Sequence, residues 1–110
     1  MNHMTSCMSD TKWQKLFSFL YASGIKKCRW KFLNDDHVYD WGVPSSEEIE
    51  TDAYVGLKDR GGFQPVRFSD IEWIEIFVDT NVDSFVEQLD TLGKFEIASK
   101  DNAIQLFGYK

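Results

Sequence analysis

Residues 71–78 of this 110-residue chain read IEWIEIFV, and this stretch decides the fold. It is the most β-like segment of the sequence, because β-branched and aromatic side chains pack well on a pleated sheet. Such a composition is typical of a central strand. We therefore expect a sheet built around residues 71–78.

Two hairpins are predicted on either side of that strand. In residues 25–33 (IKKCRWKFL), apolar and basic side chains alternate with the period of two that indicates a half-buried strand. Turn-forming residues 34–37 follow, so residues 38–41 can return as its partner. Near the C-terminus, residues 95–97 and 103–109 flank a second polar turn. The inward-facing residues of the first strand are Cys28, Trp30 and Phe32.

Two other segments show the 3.6-residue period of amphipathic helices. The first is expected to begin at a cap, Asp10, and to close at Gly24. The second is expected over residues 82–92, with Thr80 or Asn81 as its cap. The apolar positions expected to face the core are Trp13, Leu16, Phe17, Leu20 and Tyr21 in the first helix and Val82, Phe85, Val86, Leu89 and Leu92 in the second.

Together these elements predict an α+β fold, with two helices packed on one face of a largely antiparallel sheet of four to six strands. Short connections and two hairpins favour antiparallel strands over parallel ones. Within residues 42–62 we expect a helical turn capped by Ser45 and a short strand at 53–57. Residues 1–8 are expected to be a flexible N-terminal extension, and residues 9–110 a single domain.

The composition is that of a globular protein, with 43% hydrophobic and 15% aromatic residues. No apolar run approaches the roughly 18 residues that a membrane helix needs, and the first residues lack the features of a signal peptide. Cys7 and Cys28 form no CxxC motif, so neither a zinc site nor a disulfide framework is indicated. We expect a cytoplasmic protein with no membrane partner, no cofactor and no bound metal.

The charge is distributed unevenly along the chain. The formal net charge is −6, and residues 34–90 contain fifteen acidic but only three basic residues. Binding to nucleic acid needs clustered Lys and Arg, which this chain offers only in one short stretch. The sequence therefore predicts no nucleic-acid partner, whereas an acidic middle segment suits a cationic one.

One acidic pattern stands out because no Lys or Arg balances it. It consists of Asp79, Asp83, Glu87 and Asp90. Intervals of three and four residues place such side chains along one face of the second predicted helix, where repulsion costs a few tenths of a kcal/mol per pair. That cost is small enough for solubility alone to explain the pattern. Our leading hypothesis is nevertheless a non-enzymatic interaction module that binds a basic partner protein through this face, as a toxin-neutralising or regulatory protein does.

The alternative hypothesis is a small-ligand binding protein or minor enzyme with an aromatic and carboxylate pocket. The residues expected to line it are Asp40, Trp41, Glu72, Trp73 and Glu75. On a regular strand, the odd spacing of Glu72 and Glu75 places their side chains on opposite faces. One of them then either projects inward beside Trp73, where burial raises its pKa, or pairs with a cation of residues 27–31 across the sheet.

No motif in the sequence fixes a reaction. The polar cluster of Asp35, Asp36, His37 and Asp40 lacks the ligand spacing of an EF-hand, and a hairpin turn explains it more simply than a metal site does. Residues 59–62 (DRGG) lack the pattern of a phosphate-binding loop, so a glycine turn is the simpler interpretation there. We assign no catalytic residue.

Several aromatic motifs give the chain a resemblance to a known group of proteins. They are TKWQKLF, RWKFLNDD, a following Trp-Gly, a GGF stretch, IEWIEI and a closing LFGY, and they run from residue 11 to residue 109. In these motifs the chain resembles small uncharacterised bacterial proteins carried by mobile gene cassettes. The resemblance implies a bacterial accessory protein and assigns no reaction.

Self-association is compatible with either hypothesis. The chain is rich in aromatic residues, and an open sheet has edge strands. A second copy of the chain could cover an exposed strand edge or an aromatic surface. We therefore keep a homodimer as a third hypothesis.

Overall fold

A computed structural model describes residues 5–33, 35–43, 54–57, 64–79, 81–100 and 102–110, with the backbone alone for residues 41, 54–57 and 64–66. The expected helical turn at Ser45 and the DRGG stretch at 59–62 lie outside the described residues. No helix in the described part of the chain is long and apolar enough to cross a membrane.

Five strands form one antiparallel sheet, which confirms the predicted α+β fold. The strands are β1 (Cys28–Phe32), β2 (Val38–Trp41), β5 (Ile71–Phe77), β6 (Ile97–Ser99) and β7 (Ala103–Phe107), in the order β2-β1-β5-β7-β6. The segment IEWIEIFV thus supplies the central strand, as its composition predicts. Both expected hairpins are present, although β6 begins at Ile97 rather than at Phe95.

Two further strands form a separate antiparallel pair. They are β3 (Tyr54–Leu57), close to the strand expected at 53–57, and β4 (Gln64–Arg67), which the sequence did not predict. Pro65 lies within β4 and cannot donate a backbone hydrogen bond, so the segment does not read as a strand. A single 3₁₀ turn, Phe68–Asp70, then leads into β5.

Helix α1 spans Asp10–Ala22 and buries most of its predicted stripe. Ser9 caps it by accepting a hydrogen bond from the Lys12 backbone N–H at 3.2 Å, so the predicted cap at Asp10 is wrong by one residue. Gly24 follows the helix with a φ of 77°, a left-handed conformation that favours glycine. The predicted burial of Tyr21 is also wrong: it is 52% exposed, because it lies at the margin of the stripe.

Helix α2 spans Val82–Asp90, two residues shorter than predicted. Of the two expected caps, Asn81 is the one used, and its side chain accepts a hydrogen bond from the Ser84 backbone N–H at 3.2 Å. The inward residues Phe85 and Leu89 are buried. They belong to the same core as the buried residues of α1.

The core lies against the face of the sheet that carries Cys28, Trp30 and Phe32. Neighbouring strands add Ile74, Ile76, Ile104 and Leu106 to it. The Phe17 ring of α1 stacks between Trp13, at 5.4 Å, and Trp30, at 5.2 Å between ring centroids. This stack places α1 on that face and confirms the inward orientation predicted from the alternation in β1.

Residues 5–7 pair with the last described residues of the chain. The Thr5 N–H donates to the Lys110 carbonyl oxygen at 2.9 Å, and the Cys7 N–H donates to the Gly108 carbonyl oxygen at 2.8 Å. Met8 packs against the core. The described part of the N-terminal extension therefore pairs with the end of the chain, while the single-domain boundary at residue 9 stays a prediction.

Candidate functional site

The four acidic residues singled out by the sequence are all solvent-exposed. Three of them lie in α2, and 3.6 residues per turn place these three within an arc of about 60°. Asp79 lies in the bend before the cap residue Asn81. We call the set Asp79, Asp83, Glu87 and Asp90 the acidic face.

The charges of the acidic face are uncompensated. Among the described residues, no Lys, Arg or His nitrogen lies within the 4.0 Å of an ion pair from any of its four carboxylates. Asp83 lies in the first turn of α2, where the helix dipole favours an anion. Asp90 is the last helical residue, where the dipole opposes one, and no basic residue lies in the last turn. The acidic face therefore carries electrostatic repulsion that the fold does not relieve.

On the second face of the sheet, which is opposite the core, carboxylates are instead paired with cations. Arg29 Nε lies 3.2 Å from Asp40 Oδ1, and Arg29 Nη1 lies 3.8 Å from Glu75 Oε1. The other oxygen of Glu75 lies 3.3 Å from Lys100 Nζ. We call these four residues the ion-pair row, which crosses the sheet from β2 to the end of β6.

A second pair flanks the ion-pair row. Lys31 Nζ lies 3.2 Å from Glu72 Oε1 and also donates to the Phe32 carbonyl oxygen at 2.9 Å. Lys31 and Glu72 are both about four-fifths buried at the side chain, with 17% and 18% exposed. Arg29, Lys31 and Lys100 each have a carboxylate partner, and their charges cancel those of Asp40, Glu72 and Glu75.

The prediction that Glu72 and Glu75 lie on opposite faces is wrong. Lys31 pairs with Trp73 but Phe32 pairs with Ile71, so Glu72 is an extra residue in β5. Such a bulge resets the alternation of side chains by one position. Both carboxylates consequently reach the same basic row of β1, and the alternative in which one of them projects into the core is wrong.

Three large aromatic side chains share the second face. Trp73, Phe77 and Phe107 are partly exposed and do not belong to the core. The Arg29 guanidinium lies 5.4 Å from the Phe77 ring centroid, and Lys110 Nζ lies 5.4 Å from that of Phe107. Cations at this distance are attracted by the negative face of an aromatic ring.

The predicted pocket is only partly assembled. Asp40, Glu72, Trp73 and Glu75 do share the second face, but Asp40 is 83% exposed at its side chain and the carboxylates are engaged by cations. The side chain of Trp41 lies outside the described residues. A hollow of about 490 Å³ lies elsewhere, on the helices. It is lined by Gln14, Lys15, Ser18, Phe19 and Leu92, none of them a predicted site residue.

In the polar cluster, hydrogen bonds to Asp35 stabilise the turn before β2. Asp35 accepts hydrogen bonds from the His37 backbone N–H at 3.0 Å and from the Tyr39 hydroxyl, and the His37 and Tyr39 rings meet edge to face at 4.4 Å. No group of three potential metal ligands occurs within the described ranges. A role of these residues in shaping the hairpin accounts for their contacts.

The two cysteines differ in environment. Burial raises the pKa of the Cys28 thiol far above its usual range, and the negative charge of Glu75 raises it further. A thiol held in its neutral form is a poor nucleophile. Cys7 is partly exposed, and both cysteines are free. Cys28 therefore serves packing and not chemistry.

Comparisons with protein-family models, with curated proteins and with solved structures found no match to this chain. Sequence reasoning found the acidic face but missed Lys100, which is the second cation on Glu75. Lys100 is 25 positions from Glu75 in the chain, and only the pairing of β5 with β7 and of β7 with β6 brings them together.

Proposed function

We propose that this chain is a non-enzymatic interaction module that binds a basic partner protein through its acidic face. One observation carries the proposal: the four carboxylates are exposed and uncompensated, whereas Asp40, Glu72 and Glu75 on the sheet all have cationic partners. The fold pairs the carboxylates of the sheet with cations but leaves those of the acidic face unpaired. A cationic partner would supply the missing counter-charges.

The energetics favour electrostatic steering over tight burial. Like charges one turn apart on an exposed helix cost a few tenths of a kcal/mol per pair, which Lys or Arg side chains of a partner would relieve. Exposed charges raise the rate of association more than they raise affinity, and salt screens them. We therefore expect an association that weakens as salt rises.

The geometry limits what the partner presents. The nine residues of α2 extend over about 13 Å, and their carboxylates point to one side within about 60°. A complementary surface needs Lys or Arg residues spread over a similar length, such as one face of a basic helix. We infer a protein partner in the bacterial cytoplasm, in accord with the resemblance to bacterial cassette proteins, and neither nucleic acid nor a membrane.

The test is capture of partners from lysate of the source cell at low salt, followed by elution in steps of rising salt and mass spectrometry. A stoichiometric basic protein released at moderate salt supports the proposal. The decisive variant is the triple charge reversal Asp83→Lys, Glu87→Lys, Asp90→Lys, which should abolish capture of that protein.

A matched control separates the acidic face from net charge. Asp10, Asp36 and Asp70 are exposed and lie outside the acidic face. Reversing these three to Lys changes the net charge by the same amount and should leave capture almost intact. Equal loss in both variants, or no loss in the first, would refute a role of the acidic face.

The alternative, a small-ligand site on the second face, has less support. A ligand cation there competes with Arg29, Lys31 and Lys100 for carboxylates that are already paired. A metabolite screen by thermal shift tests it, because a ligand at a hundred times its Kd stabilises the fold by about 2.7 kcal/mol. The absence of any shift would count heavily against a small-ligand site.

A further inference from the structure

The second face of the sheet carries three large aromatic side chains beside its ion pairs. An antiparallel sheet with one solvated face normally shows polar side chains there. Here Trp73, Phe77 and Phe107 occupy it on the two neighbouring strands β5 and β7, where Trp73 pairs in register with Phe107. Most aromatic rings of the core contact another ring, but none of these three contacts a further described ring.

We infer that this face binds the same face of a second copy of the chain, forming a two-fold symmetric dimer in which two sheets stack. Sheets stack face to face about 10 Å apart, with side chains of both filling the space between them. The inference is independent of the acidic face, since none of the residues it uses belongs to that surface.

The charge of this face permits a second copy to bind there. The chain as a whole has a net charge of −6, so two copies repel each other over most of their surfaces. On the second face, three cations and three carboxylates are paired with one another. A neutral face neither attracts nucleic acid nor repels the same face of a second copy. Charges that are already paired also cost less free energy to bury in an interface than unpaired charges do.

The placement of the two most exposed charges makes the face self-complementary. Asp40, 83% exposed at the side chain, lies on the edge strand β2, and Lys100, 63% exposed, follows the opposite edge strand β6. A two-fold axis parallel to the central strand β5 places β2 of one copy over β6 of the other. Asp40 of each copy then lies above the end of β6 in the other copy, which Lys100 follows. The two-fold symmetry makes this contact occur twice.

The size of the face suits a small dimer. The five strands are three to seven residues long and about 4.8 Å apart, which gives a flat area of roughly 390 Å². Projecting side chains raise the accessible area above that value, toward the roughly 800 Å² per partner that stable interfaces bury. A contact confined to one strand edge would bury far less.

The experiment is sedimentation velocity on the full chain and on two charge variants, Asp40→Lys and Lys100→Glu. The wild-type chain should sediment as a dimer. Each variant alone should sediment as a monomer, because two like-charged contacts replace two opposite-charged ones. An equimolar mixture of the two variants should sediment as a dimer again, since the introduced side chains pair in one contact and the native Asp40 and Lys100 pair in the other.

The outcomes are separable from misfolding and from failure of the proposed function. A third variant, Gln105→Arg, keeps an opposite-charge pair with its cross-strand neighbour Glu75 yet places two cations at the centre of the interface, and it should be a folded monomer. The triple reversal of the acidic face should remain a dimer. A wild-type chain that is monomeric at every concentration, or a variant mixture that stays monomeric, would overturn the dimer without touching the acidic face.

Discussion

Gly108 crosses the start of β5 so closely that a Cβ atom on it would overlap the carbonyl oxygen of Ile71. The Gly108 and Tyr109 backbone N–H groups both donate to the Glu72 carbonyl oxygen, at 2.8 and 3.1 Å. The bulge at Glu72 and the absence of a side chain at Gly108 thus belong to one arrangement. It puts Glu72 on the same face as Glu75 and so builds the charged surface of the sheet.

Gly108→Ala should destabilise the fold by about 1–3 kcal/mol, because the new methyl group would meet backbone on one side and the Trp13 ring at 3.0 Å on the other. Gly42→Ala is the matched control. Within the described part of the chain, a Cβ there meets only the Lys26 carbonyl oxygen, at 3.4 Å, and should cost little. Urea unfolding of both variants measures the difference, and equal midpoints would contradict the close approach.

Two aromatic residues of α1 should differ sharply in their contribution to stability. Phe17 is fully buried between two tryptophan rings, so Phe17→Ala should cost about 3–5 kcal/mol in free energy of unfolding. Tyr21 is 52% exposed, and Tyr21→Ala should cost less than about 1 kcal/mol. A large loss of stability in Tyr21→Ala would mean that α1 is rotated about its axis so that Tyr21 faces the core.

Glu75→Gln should destabilise the fold by about 1–3 kcal/mol, because it leaves Arg29 and Lys100 without the carboxylate they share in a site only 11% exposed. Glu96→Gln is the control, since its pair with Lys110 is 58% exposed on both sides and should contribute less than about 0.5 kcal/mol. Chemical denaturation at neutral pH distinguishes them. Similar small losses would show that the ion-pair row does not stabilise the sheet.

Cys28 should make stability depend on alkaline pH. Its pKa is raised in the folded chain, so the folded state holds the thiol proton more tightly than the unfolded state does. The contribution is fully present below the unfolded pKa of about 9 and is lost as pH rises above that value. The free energy of unfolding should therefore fall more steeply above pH 9 in the wild-type chain than in Cys28→Ala.

The same burial predicts thiol reactivity. In the native chain a thiol reagent should modify Cys7, which is partly exposed, and leave Cys28 unmodified until urea unfolds the protein. Cys7→Ser should remove the native reaction entirely. Rapid modification of Cys28 without denaturant would contradict its burial in the core.

Local patterns predicted the elements of this fold well. Apolar residues repeat every two positions in β1 and every 3.6 positions in both helices, because one side of each element faces the core. These periods directly predict the core residues Trp13, Trp30 and Phe85. The acidic face was likewise predictable, because its charges share one helix and need no distant partner. Asp10 and Tyr21 were misassigned because each lies one step from the boundary of such a pattern.

The sequence by itself determined the type of each main element, the central place of IEWIEIFV and the acidic face of α2, since all of these depend on residues within a few positions of each other. Only the tertiary structure decided that Glu72 and Glu75 share a face and that Lys100 meets Glu75. The physical reason is that the position of a bulge depends on the residue that crosses the strand, which is Gly108 here. Likewise, an ion pair across a sheet depends on which strands are neighbours. Strand neighbours in a sheet are chosen by the packing of the whole chain.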